Sequence, residues 1–175
     1  FLKKLTTLIT DARAPEEILV YIVSKSGETV ETDANAEFVL KALRARGAAV
    51  ERQTVAVTDA GSRLHLASRT QNIPCIEIPS VVGGRYSVLS AAGLAPLAAA
   101  GIDIVSLHEG ARAMRERCLK DDIYENPAAL SAGVMYAHLA RGKTISDTFF
   151  FHPELESLGK WYRELVGESL GKEKN

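Results

Sequence analysis

The sequence predicts an α/β fold, a three-layer αβα sandwich around a parallel sheet, and three observations carry that prediction. Short runs with strand character recur in the first half of the chain, at residues 18–23, 54–58 and 74–78, the first of them apolar throughout. Each run ends in polar, glycine or proline residues that break a strand. Between the runs, apolar residues return at helical spacing. Strands separated by helices pair in parallel through right-handed crossovers, which lays the helices over the sheet.

A helix is expected over residues 1–9. The first strand, Ile18-Leu19-Val20-Tyr21-Ile22-Val23, is apolar throughout, as a strand covered on both faces should be. It stops at Ser24-Lys25-Ser26-Gly27-Glu28-Thr29, where every residue is polar or glycine. The helix over 29–46 is read from Val30, Ala34, Phe38 and Ala42, with Val39 and Leu43, as one apolar face. Ser26 and Thr29 are both N-cap candidates, Glu28 and Glu31 suit a first turn, and Gly47 is a natural stop. The second strand, 54–58, closes in Asp59-Ala60-Gly61-Ser62. A short helix over 63–69 and a third strand over 74–78, ending at Pro79, follow.

From Ser87 the pattern is helical. Residues 87–100 are small and apolar, and 106–119 are amphipathic through Leu107, Ala111, Met114 and Cys118. Pro127 opens a helix over 128–140 with Asn126 as its cap. A strand is expected over 144–151, from Ile145 and Phe149 to Phe151. A last helix over 154–166 carries Leu155, Leu158, Trp161, Tyr162, Leu165 and Val166 on one face. The organisation expected is one α/β domain over 1–105, a helical connection over 106–143, and the start of a second α/β unit over 144–175. The chain starts at Phe1 inside a predicted helix, so it reads as a piece of a longer one.

Composition narrows the function classes. Twenty-one basic against 22 acidic residues give a net charge of −1, so no basic field points to nucleic acid. No apolar run approaches a membrane span, and no signal peptide is visible. Cys75 and Cys118 read as buried thiols of a cytoplasmic protein rather than a disulfide framework. His65, His108, His138 and His152 have no cysteine or carboxylate cluster at ligand spacing and read as surface or packing residues, so no metal is expected.

Two stretches carry chemistry. A strand feeding a helix through residues 24–29 makes an anion site, because first-turn N–H groups lack internal partners and the helix's positive end favours a phosphate by roughly 0.3–2 kcal/mol. Gly27 lets backbone approach closely, Ser24, Ser26 and Thr29 add hydroxyls, and Lys25 adds a point charge. The plainer reading is an ordinary capped βα loop. The stretch is not a nucleotide P-loop, since no Gly-x-x-x-x-Gly-Lys-Ser/Thr is present. The second stretch is Ser80-Val81-Val82-Gly83-Gly84-Arg85-Tyr86-Ser87, where two glycines follow a strand and an arginine is presented just before a helix. Arginine's donor fork can stabilise developing negative charge there; the alternative is a surface turn.

Residues 80–93, continuing as Val88-Leu89-Ser90-Ala91-Ala92-Gly93, resemble the signature of the glucose-6-phosphate isomerase family. Ser24-Lys25-Ser26-Gly27-Glu28-Thr29-Val30-Glu31-Thr32 resembles that family's phosphate loop. Gly167-Glu168-Ser169-Leu170-Gly171-Lys172 resembles the segment carrying its catalytic base, and Glu125-Asn126-Pro127 agrees as well. The resemblance implies a flavodoxin-like sugar isomerase (SIS) domain, truncated at its N-terminus, with a second such domain begun at Thr144.

The implied activity is interconversion of glucose 6-phosphate and fructose 6-phosphate through a cis-enediol, in glycolysis and gluconeogenesis, without a cofactor. Ser24, Lys25, Ser26 and Thr29 would hold the 6-phosphate. Arg85 would face the enediolate with Gly84 lining the sugar, and Glu168 would move the proton between C1 and C2. Glu164 stands where the family has a glutamine touching the phosphate, and a carboxylate there would repel the ligand unless it turned away or were protonated. The family's preceding glycine-rich loop is absent, and its ring-opening histidine and lysine lie downstream of Asn175. The resemblance also implies a homodimer in the full-length protein, and a fragment inactive alone. Two alternatives stand beside it: a non-catalytic sugar-phosphate sensor, and a serine hydrolase through Gly167-Glu168-Ser169-Leu170-Gly171, which fits Gly-x-Ser-x-Gly but needs a strand before the serine.

Overall fold

The structure is a computed structural model and describes residues 2–171. The chain divides into two compact units between Val105 and Ser106. In the first unit, α1 (Leu2–Asp11) and a 3-10 turn (Pro15–Glu17) lead into β1 (Val20–Val23). Then come α2 (Val30–Ala45), α3 (Val50–Gln53), β2 (Thr54–Thr58), α4 (Arg63–Thr70) and β3 (Cys75–Glu77). A 3-10 helix (Gly84–Leu89) and α5 (Ala91–Ala99) follow. Phe1, included in the expected first helix, lies outside the described residues.

The sheet is parallel in the order β1-β2-β3, with Val20 opposite Thr54 and Ala56 opposite Cys75. β2 is the central strand, and Ala56, Val57 and Thr58 are all fully buried. Successive strand residues point to opposite faces, so both faces of β2 are covered. Both α4 and α5 pack on β2, and α2 packs on β1. This is the parallel αβα arrangement the alternation predicted, and it agrees with the flavodoxin-like fold that the resemblance implied.

The face of α2 agrees with the expected one at Val39, Ala42 and Leu43 but not at Val30, Ala34 and Phe38. Leu40 and Leu43 are buried, with Ala36, Val39 and Ala42 packed beside them, whereas Val30 is 74% exposed and Phe38 37%. A row at four-residue spacing drifts by about 40° per step around a helix of 3.6 residues per turn, so a row through Val30, Ala34 and Phe38 winds away from the core. The buried set 36, 39, 40 and 43 follows the mixed three- and four-residue spacing that keeps one face. It meets Ile9 of α1, Ile22 of β1 and Val50 of α3, the short helix not expected from the sequence.

The small-residue helix expected over 87–100 is two elements. Ser90 ends the 3-10 helix, its hydroxyl donating to the Ser87 carbonyl at 2.6 Å, and caps α5 by accepting from Ala92 N–H at 3.3 Å. A Cβ on Gly93 would fall 2.1 Å from the Val88 carbonyl oxygen, so the two elements cross at a point that only glycine admits.

The second unit holds most of α6 (Ile104–Cys118), then α7 (Pro127–Leu139), a 3-10 turn (Pro153–Leu155) and α8 (Glu156–Leu170). Asn126 is the N-cap of α7 as expected, accepting from Ala129 N–H at 2.9 Å. The strand expected over 144–151 is absent: no described segment pairs with these residues, and a strand without a neighbour leaves its ladder unsatisfied. Phe150 instead lies over Gly159 of α8, where a Cβ would meet its ring at 2.7 Å, and Phe149 and Phe151 stack edge to face, 5.0 Å apart.

Both cysteines are free, but half-buried rather than buried. Neither lies in a closed core: Cys75 begins β3, whose remaining residues are exposed, and Cys118 ends α6. Burial, and then the Glu77 carboxylate, push the Cys75 thiol above its ordinary pKa.

Candidate functional site: the loop after β1

The loop after β1 is built by its own hydroxyls. Ser24, 5% exposed, accepts from Gly27 N–H at 3.1 Å and pairs with the Thr29 hydroxyl at 3.0 Å. Ser26 Oγ accepts from Glu28 N–H at 3.2 Å. Thr29 occupies the N-cap position of α2, yet its side chain makes no cap bond because it turns to Ser24. The first turn of α2 thus receives no cap from Thr29, and its N–H groups face out of the helix end.

Gly27 is required twice over. Its φ is +67°, in the left-handed region, and a Cβ there would meet Leu64 N at 2.7 Å and Ser62 Oγ at 3.0 Å. The loop therefore rests directly on the first turn of α4. Asp33, in the first turn of α2, is neutralised by the Arg63 guanidinium of α4, which removes one negative charge from the mouth of the loop.

Lys25 connects this loop to the second stretch. Its ammonium donates to the Ser80 carbonyl at 2.8 Å, across 55 positions of sequence. An ammonium has three donors, so a bond to Ser80 leaves capacity for an anion. Beyond Ser80, Gly84 opens the 3-10 helix and Arg85 is its half-buried second residue. A Cβ on Gly84 would meet nothing within 4 Å, so its backbone is open to approach. Ser24, Lys25, Ser26, Thr29, Gly84 and Arg85 all belong to the first unit.

Glu164 and Glu168 belong to the second unit. They are exposed residues one turn apart on α8, which puts both carboxylates on the same side of that helix. The Gly-x-Ser-x-Gly match lies within and at the end of α8, with Ser169 helical. A nucleophile elbow needs a strand leading into the serine, so the hydrolase alternative fails on geometry. Lys172, the last residue of the matched segment, is outside the described residues. No group of three or more His, Cys, Asp or Glu among the described residues is arranged to hold a metal ion.

Two residues that hold the loop escaped the sequence reading. Thr58 Oγ1 donates to the Lys25 carbonyl at 3.2 Å, and Ser62 Oγ lies 2.8 Å from Thr58 Oγ1. Asp59-Ala60-Gly61-Ser62 reads as a turn, and the available signal was a hydroxyl residue closing a buried strand beside the loop.

A family model described as phosphoglucose isomerase matches residues 5–175. A glucose-6-phosphate isomerase of Methanocaldococcus jannaschii is 40% identical over 159 residues, covering 91% of this chain and 39% of that protein. A probable glucose-6-phosphate isomerase of Methanococcus maripaludis is 40% identical over 157 residues, covering 90% of the chain and 36% of the relative. The crystal structure of a hypothetical protein from Thermus thermophilus superposes with a TM-score of 0.88 at 34% identity, over 97% of this chain and 40% of that one. The chain thus spans about two fifths of the length of the relatives it matches.

Proposed function

The chain belongs to the phosphoglucose isomerase family, and from that premise we propose that, as part of a longer chain, it interconverts glucose 6-phosphate and fructose 6-phosphate through a cis-enediol. The phosphate rests on the loop after β1, held by Ser24, Lys25, Ser26 and Thr29 and by the open end of α2. The observation that carries this reading is the Lys25–Ser80 hydrogen bond, which ties that loop to the segment bearing Gly84 and Arg85.

Glu168, as carboxylate, takes the proton from C2 of the open-chain aldose. The C–H electron pair becomes the C1=C2 bond, and the carbonyl pair moves onto O1. Arg85 offsets the charge that develops on the enediolate, in the manner of a preorganised donor fork. Returning the proton to C1, with transfer of a hydroxyl proton from O2 to O1, gives the ketose. The exchange is internally balanced, so no cofactor is consumed. A positioned general base of this kind contributes about 10²–10⁴ in rate. On the same reading the enzyme works in glycolysis and gluconeogenesis, in the cytoplasm, as a homodimer.

The test uses the full-length protein. Lys25→Ala and Ser26→Ala should each weaken 6-phosphogluconate binding several-fold, while Thr70→Ala, whose exposed hydroxyl donates to the Leu66 carbonyl of its own helix, should not. Glu168→Gln should bind the ligand normally and lose solvent-proton exchange at C2 by at least about a hundredfold. Normal binding in both loop variants would remove the loop from the site, and undiminished exchange would remove Glu168. Binding without turnover in the unmodified protein would favour the sensor reading.

A further inference from the structure

We propose that Thr58 and Ser62 are positioning residues for the anion: they fix the Lys25–Ser26 peptide so that its N–H faces the phosphate. The proposal rests on the phosphate-loop reading and adds to it residues that touch no substrate.

Counting donors gives the network a direction. The Lys25 carbonyl only accepts, and it takes Asp59 N–H at 3.1 Å and Thr58 Oγ1–H at 3.2 Å. Thr58 has one hydroxyl proton, so Ser62, 2.8 Å away, must donate to Thr58. Ser62 in turn accepts from His65 N–H at 3.1 Å, as the N-cap of α4. The run is therefore His65 N–H to Ser62, Ser62 to Thr58, and Thr58 to the Lys25 carbonyl.

Thr58 is the last residue of the central strand and is fully buried. Valine would fill the same volume there without a polar atom to satisfy. The hydroxyl takes no part in the β2 ladder, and its bonds run to the Lys25 carbonyl and to Ser62. A trans peptide is planar with its C=O and N–H antiparallel. Pinning the Lys25 carbonyl toward β2 therefore aims the Ser26 N–H away from β2, on the outer side of the loop. Gly27 lies so close to Ser62 and Leu64 that a Cβ there would meet Ser62 Oγ at 3.0 Å and Leu64 N at 2.7 Å.

The experiment compares Thr58→Val, Thr58→Ser and Ser62→Ala in the full-length protein, with Lys25→Ala as the benchmark. KM and kcat for fructose 6-phosphate, the inhibition constant of inorganic phosphate and the thermal midpoint are measured for each. Thr58→Val should raise KM and the phosphate inhibition constant about 3–10-fold with kcat within about twofold, the size of one lost hydrogen bond. Thr58→Ser should restore both to within about twofold, and Ser62→Ala should fall between. A lowered thermal midpoint with unchanged KM and phosphate inhibition would show a structural role only and overturn the proposal. A KM rise that serine does not rescue, or a loss confined to kcat, would overturn it equally. If Thr58→Val fails to fold, Ser62→Ala carries the same KM and phosphate criteria. Should Lys25→Ala leave phosphate inhibition unchanged, the loop reading itself has failed; a weakened Lys25→Ala beside an unaffected Thr58→Val sinks this proposal alone.

Discussion

At the scale of single residues, Glu164 is the position where charge and proposed role disagree. It stands one turn from Glu168 on α8, where a carboxylate directed at a phosphate would repel it. Exchange for glutamine in the full-length protein should leave KM for fructose 6-phosphate unchanged or lower it. A several-fold rise would mean that the carboxylate makes a favourable contact with the ligand. Ser24, Lys25, Ser26 and Thr29 can be proposed as anion-binding residues from the sequence, because their side chains and Gly27 announce that chemistry locally. Thr58 was not legible: its importance comes from meeting the Lys25 carbonyl 33 positions away, and a threonine closing a strand looks like any other.

At the scale of elements, one side chain joins two helices. Asn126, 8% exposed, accepts from Ala129 N–H to cap α7 while its amide donates to the carbonyls of Cys118 at 2.9 Å and Lys120 at 3.0 Å. It closes the end of α6 and the start of α7 together. Asn126→Ala should cost about 1–3 kcal/mol by chemical denaturation of the full-length protein, from the lost cap and the two stranded carbonyls. Asn126→Asp keeps an equally good cap but sets a carboxylate against those carbonyls, so it should be no better than alanine. Full stability in the aspartate variant would show that the cap alone matters. The cap itself could be read from Asn126-Pro127, whereas the two carbonyl bonds could not, since they depend on how residues 118–126 turn. The missing strand over 144–151 makes the same point: β-rich residues cannot form a strand without a partner, and a partner is not a local property.

At the scale of the whole molecule, the alternation of periods in the first hundred residues was enough to read a parallel αβα unit, because each strand and helix declares itself over a few residues. In the second unit the three helices were legible as well, but their packing was not, for a physical reason: among its described residues Asn126 alone is buried, so its apolar positions show no inward face. The 175-residue chain alone should show no measurable interconversion of the two hexose phosphates in a coupled assay, since it spans about two fifths of its relatives. Robust turnover by the isolated chain would refute this. The Lys25–Ser80 bond has a consequence for how the parts communicate. Whatever factor an anion's arrival applies to the hold of Lys25 on Ser80, tightening or loosening it, the state of the Ser80 turn must apply in return to the anion's affinity. On the proposed reading, the turn that leads to Arg85 and the loop that would receive the phosphate form one reciprocal equilibrium, and a change in either is returned by the other at equal strength.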